Sequence, residues 1–174
     1  MFFNSFIQLV LNRKDLNYDS IQYILTFLPP ELNDISIRYA INLWFTNESE
    51  AIKKYGHITE WNTSKVTDMY TLFENRYDFN INISKWCTSN VINMSYMFNN
   101  AKNFDQLLTF DTSNVIYMVG MFCNAKNFNK PLYFNTSKVT NMEAMFECAT
   151  SFDQPLLLNT SKVTNMHCMF SNES

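Results

Sequence analysis

The chain has 174 residues, 47% of them apolar, and a formal net charge of -3, which allows one domain or one domain with a small cap and excludes wholesale disorder. Residues 61–170 carry 8 Lys/Arg against 8 Asp/Glu, so the cationic footprint with which a nucleic-acid binder displaces counterions is missing. No run of 18 apolar residues occurs, which argues against a membrane-spanning helix.

The N-terminal stretch MFFNSFIQLVLNRK lacks a basic leader region, and Asn4, Ser5 and Gln8 break its apolar run. It reads as an amphipathic first helix or a frayed end rather than a secretory signal. Residues 19–28 predict a helix, with Asp19 or Ser20 as N-cap and Pro29-Pro30 as its stop. A second helix is expected from Glu31 or Asn33 to Trp44, with Ile37, Ala40, Ile41 and Trp44 on one face. A third starts after Asn47 and ends at Gly56, read as a left-handed C-cap. Residues 1–56 are therefore expected to form a helical N-terminal cap.

From Trp61 the chain repeats. WNTSKVTDMYTLF, WCTSNVINMSYMF, FDTSNVIYMVGMF, FNTSKVTNMEAMF and LNTSKVTNMHCMF start at Trp61, Trp86, Phe110, Phe134 and Leu158, one step of 25 residues and three of 24. Ala101, Ala125 and Ala149 align in the second half of the unit, as do Phe104, Phe128 and Phe152, and Leu108, Leu132 and Leu156. The earliest unit is irregular, with Arg76 in the alanine column. A unit this short cannot offset its own chain entropy, so neighbours must share a continuous core.

Even spacing at Phe152, Leu156 and Leu158 predicts a short strand, and Met142, Met145 and Phe146 follow the i, i+3, i+4 spacing of one helical turn. The expected fold is an α/β repeat solenoid of the leucine-rich-repeat kind over residues 57–174, about 4.5 repeats of 24 residues, with its strands paired in parallel. Bends would rely on Asn, Asp, Thr and Ser, since only 2 Gly are present. The 24 Asn read as the mark of an AT-rich genome.

The pattern V-x-x-M-x-x-M-F-x-x-A-x-x-F-x-x-P-L-x-x-N-T-S resembles the BspA-type leucine-rich repeats, and more narrowly a repeat family of unknown function found in mycoplasma surface proteins and giant-virus genomes. Residues 40–69 are similar to that family's usual lead-in segment, and the resemblance spans about residues 37–170. It implies a leucine-rich-repeat-like fold and, for cellular members, surface display and adhesion. Two features depart from it. The last three units are one residue short and carry Phe or Leu where the family has Trp, and the export signal of a surface adhesin is not expected from the N-terminal stretch.

Chemistry finds no foothold. His57 and His167 are the only histidines, and no CxxC occurs among Cys87, Cys123, Cys148 and Cys168, so zinc is not expected and the thiols read as reduced. The column Met94, Met118, Met142, Met166 reads as core rather than a soft-metal site. No catalytic residue, metal or cofactor is predicted, and the chain is expected not to be an enzyme.

The expected function is a protein-binding repeat module acting inside a cell, in the host cytoplasm for a viral source. An adhesin-like surface protein is one alternative. A ubiquitin-ligase-type adaptor, from the F-box-like Leu28-Pro-Pro-Glu-Leu32, is another. Outward strand positions supply the candidate partner-binding residues: Gln106, Lys130 and Gln154 in one row, and Thr109, Tyr133 and Leu157 in a second. Self-association through an uncapped C-terminal end is the remaining partner expectation.

Overall fold

The computed structural model describes residues 29–172, and the helix expected at 19–28 lies outside them. Residues from Glu31 onward belong to one compact unit. It opens with two helices, α1 (Ser36–Thr46) and α2 (Glu48–Tyr55), followed by a single 3-10 turn, Ile58–Glu60. Helix α1 starts later than the expected Glu31 or Asn33 because Asn33 Oδ1 accepts from the N–H groups of Ile35 and Ser36, while Ser36 Oγ accepts from the Asn33 N–H. This reciprocal cap satisfies donors that the first turn leaves over. Ile37, Ala40, Ile41 and Trp44 form its buried face. Asn47 caps α2 by accepting from the Glu50 N–H. Gly56 ends α2 at φ 75°, ψ 180°, which is not the left-handed helical cap expected but an extended positive-φ conformation that side chains disfavour.

Five units follow: 61–85, 86–109, 110–133, 134–157 and a last one from Leu158. The α/β, leucine-rich-repeat-like solenoid with a strand and a helical turn per unit is not what they build. Among the described residues β-structure amounts to five isolated parallel bridges, Asn33–Lys65, Asp68–Asn93, Asn93–Tyr117, Tyr117–Asn141 and Asn141–Asn165, with no sheet. The only α-helices there are α1 and α2.

The physical reasons are local. In the presumed helical turn, alternate N–H groups serve two purposes. Those of Met97, Asn99 and Ala101 bond back to the carbonyls of Met94, Tyr96 and Phe98 as tight turns. Those of Met94, Tyr96, Phe98 and Asn100 donate forward to Tyr117, Val119, Met121 and Cys123 of the next unit, at 3.0, 2.7, 2.9 and 2.8 Å. A helix would have kept every N–H inside its own segment. Positive φ at Tyr96 and Asn100, and again at Gly120, Asn124, Ala144 and Cys148, breaks the right-handed run.

In the presumed strand, Phe104, Leu108 and Phe110 do point into the core, so the even spacing is real. Backbone pairing is not. Pro131 and Pro155 interrupt this segment and have no N–H to give a ladder. Side chains bridge the units instead: the N–H of Asp105 donates to Asn80 Oδ1, that of Asn129 to Asp105 Oδ1, and that of Asp153 to Asn129 Oδ1. A second column runs through buried threonines. The hydroxyls of Thr63, Thr88, Thr112 and Thr136 donate to the carbonyls of Cys87, Asp111, Asn135 and Asn159.

The core between these columns is a double stack of phenylalanines. Phe73, Phe98, Phe122, Phe146 and Phe170 stack face to face with centroids 5.6, 5.6, 5.5 and 5.6 Å apart. Phe79, Phe104, Phe128 and Phe152 form a parallel stack at 5.7, 5.9 and 5.8 Å. Within each of the first four units the two rings meet at 3.9 to 4.3 Å. Offset stacking of this kind adds to the burial of the rings themselves.

Gly120 shows how one column absorbs a side chain. It sits at φ 54°, but Ala144 holds φ 53° one unit later, so the backbone alone does not demand glycine. The reason is Tyr96, whose ring would lie 2.5 Å from a Cβ at position 120. Gly120→Ala is expected to cost about 1–2 kcal/mol by forcing that ring aside. In a Tyr96→Ala background the same change should cost much less. Urea titration of the four chains in the double-mutant cycle measures the difference.

Candidate partner-binding surface

The six predicted surface residues do not behave alike. Gln106 and Gln154 each spend their side-chain amide on the preceding unit, donating to Asn80 Oδ1 at 2.8 Å and to Asn129 Oδ1 at 2.9 Å. Lys130 pairs with Asp105 at 2.6 Å, with both side chains about two-thirds buried. The first predicted row therefore fastens unit to unit. Thr109 is exposed but donates to the Ser84 carbonyl at 2.9 Å. Tyr133 and Leu157 remain, 79% and 91% exposed, in the same register of consecutive units.

Exposed aromatics also occur where the sequence reading did not place a surface. Tyr70 and Tyr117 are about half exposed, and the Tyr70 ring meets Tyr96 edge-on at 6.0 Å. Ile35, just before α1, and Tyr39 on it are 71% and 69% exposed. The available signal was the tyrosine at Tyr70, in a slot that holds Ser95, Val119, Glu143 and His167 in later units.

The irregular Arg76 has a local purpose. Its guanidinium lies 4.3 Å from the ring centroid of Phe45 on α1, a cation–π contact. Both residues line a cleft of about 300 Å³ with Tyr77, Asp78, Phe79 and Ile81. His57 caps the 3-10 turn: its Nδ1 lies 2.8 Å from Thr59 Oγ1, and its ring meets Trp44 edge-on at 5.0 Å. His167 lies 3.7 Å from the Cys168 sulfur. Among the described residues no group of three or more His, Cys, Asp or Glu is placed to hold a metal ion. No helix among them is long and apolar enough to cross a membrane.

Burial pushes the Cys123 thiol up to about 11, with the Glu147 carboxylate, 3.7 Å away, adding to it. At pH 8 only about one molecule in a thousand carries the Cys123 thiolate. Exposed Cys87 should therefore be alkylated well ahead of Cys123, as mass spectrometry of an iodoacetamide time course would show. The raised value favours the folded state while the thiol is protonated. This contribution is complete below the ordinary value of 9.0 and is lost as pH rises from there through about 11.

The architecture so described is that of a repeat protein whose units are joined by backbone and side-chain columns. The family described as "Mycoplasma protein of unknown function, DUF285" matches residues 40–133 and, in a second overlapping match, residues 106–174. The chain belongs to this family. No curated protein and no solved structure matches it.

Proposed function

We propose that the protein is a non-catalytic binding module whose repeat frame presents exposed side chains to a protein partner. The observation that carries this reading is the contrast within the second row. Tyr133 and Leu157, 79% and 91% exposed, have no hydrogen-bonding duty and stand on a frame fixed by bonds to both neighbouring units. Large rigid apolar side chains held in this way suit an interface centre. Lys130, Gln106 and Gln154 support the frame instead, and Thr109 serves both.

The test is capture of partners by the tagged full chain, compared with Tyr133→Ala/Leu157→Ala. Both residues are exposed, so the thermal midpoint should be unchanged, while a protein held through them should be lost by a factor of ten or more, about 1.4 kcal/mol. A partner retained undiminished by the double variant would sink this surface. Tyr70→Ala/Tyr117→Ala serves as the comparison.

Kinship with BspA-type surface proteins rests on the V-x-x-M-x-x-M-F signature and would set the same surface outside the cell. The adaptor reading needs Leu28, which lies outside the described residues, and Leu32, which is buried in the core.

A further inference from the structure

The first unit departs from the repeat at four neighbouring positions, and all four line one cleft. Arg76 stands where the later units carry Ala101, Ala125 and Ala149, and Tyr77 where they carry Lys102, Lys126 and Thr150. Asp78 takes the place of Asn103, Asn127 and Ser151, and Ile81 that of Gln106, Lys130 and Gln154. With Phe45 of α1 and the core ring of Phe79, these residues line a cleft of about 300 Å³. The exchanges put an aromatic and an aliphatic wall where the other units are mostly polar, and a guanidinium where they have a methyl group.

Two cations rest on the rings of this region rather than on carboxylates. The Arg76 guanidinium lies 4.3 Å from the centroid of Phe45, and the Lys102 ammonium 4.7 Å from that of Tyr77. Arg38, by contrast, spends its guanidinium on the Tyr70 carbonyl and the Asp68 carboxylate. Among the described residues neither Arg76 nor Lys102 forms an ion pair. The acid on the lining, Asp78, accepts from Asn103 Nδ2 at 3.0 Å. Two cations therefore face one anion, and a guanidinium lying on a ring keeps its edge of N–H donors for an acceptor.

We infer that this cleft binds a small organic carboxylate with a flat apolar body. The walls of Phe45, Tyr77 and Ile81 take the body, and Arg76 takes the carboxylate through paired N–H donors. The volume stands at the low end for ligand sites, which suits a single ring with a short acid-bearing arm. The cleft shares no residue with the surface of Tyr133 and Leu157, so this inference is independent of the proposed function.

The experiment titrates the full chain, 15N-labelled, with cinnamate and with cinnamide, its neutral isostere. Cinnamate should shift the amides of Phe45, Arg76, Tyr77 and Phe79 selectively, and cinnamide should bind about tenfold more weakly because it brings no anion to the guanidinium. Arg76→Ala/Ile81→Gln gives the first unit the residues of the second and should weaken cinnamate binding by about tenfold or more. That variant also removes the contact with Phe45, so Lys102→Gln is read beside it. Lys102 is exposed, and its loss should weaken binding about threefold with the thermal midpoint unchanged. Asp78→Asn, which removes the anion but keeps an acceptor for Asn103, should tighten binding by a similar factor. Equal affinity for cinnamate and cinnamide overturns the inference, as do shifts confined to residues away from the lining. No shift at millimolar cinnamate overturns it as well.

Discussion

Phe98→Ala should lower the unfolding free energy by about 3–5 kcal/mol, the largest loss of any single substitution considered for this chain. Phe98 is 0% exposed and touches rings on every side: Phe73 at 5.6 Å, Phe79 at 6.4 Å, Phe104 at 4.1 Å and Phe122 at 5.6 Å. Its neighbours are held in register by the columns on either side, so they cannot collapse into the space that the ring leaves. The cavity penalty therefore adds to the lost transfer energy. Phe152→Ala provides the internal comparison. That ring is only half-buried and meets Phe128 at 5.8 Å and Phe146 at 4.3 Å, with nothing stacked beyond it among the described residues. Denaturant unfolding should place its loss at about half that of Phe98→Ala or less. Equal losses would mean that the rings contribute by burial alone and that the stack has no special centre.

The repeat was legible because the core residues recur in strict register: up to Ala149, the columns of Val, Met, Phe, Ala and Leu read from the sequence are the buried columns of the structure. The elements within each unit were not legible. Spacing reports which side chains face inward, and both Met142/Met145/Phe146 and Phe152/Leu156/Leu158 do so at least in part. It does not report where a backbone N–H goes. A succession of tight turns with two left-handed residues buries an i, i+3, i+4 set as well as a helix does. An extended segment stapled by Asn and Asp buries an even-spaced set as well as a strand does. The proline in two of these segments was the readable warning against a ladder.

Asparagine does more than composition suggests. Many of the Asn among the described residues are working parts of the frame. Asn62, Asn135 and Asn159 each accept from the N–H of a serine two residues on, which makes the bend before the turn run in three of the units, and Asn82 accepts from Ser84 in the same way. Asn80 and Asn129 bridge units, and Asn90 and Asn114 donate to Ser64 and Ser89 of the unit before. Positive φ also falls on Asn75, Asn100 and Asn124, a conformation that Asn tolerates better than most residues. The indole N–H groups of Trp61 and Trp86 donate to the carbonyls of Gly56 and Ile58, and nothing in the structure explains the change to Phe and Leu in the later units. In the candidate surface, the same blindness to bonds put Lys130 and Gln154 beside Tyr133 and Leu157 as equals.

Asp34→Ala should release the helices from the first unit, at a cost of about 2–3 kcal/mol. The Asp34 carboxylate accepts from the Thr67 N–H at 2.6 Å, the Thr67 hydroxyl at 2.7 Å and the Asp68 N–H at 3.0 Å. Bonds to a charged acceptor contribute about 1.5–3 kcal/mol each when shielded, and the partial exposure of this site reduces their sum. Burial by itself raises the Asp34 pKa, but the Thr67 hydroxyl, the two amides and the nearby Arg38 outweigh it and hold the group below its ordinary value of 3.8. The carboxylate therefore stabilises the fold fully above that value, and its contribution is lost as pH falls below it. Wild type and Asp34→Ala should accordingly differ in urea midpoint at pH 7 and converge as the pH is taken below 3.8. A difference that persisted unchanged into acid would mean that Asp34 acts through its size rather than its charge. Asp34→Asn separates the two further, since it keeps the shape and one acceptor while losing the charge. It should recover part of the neutral-pH loss and none of the acid dependence.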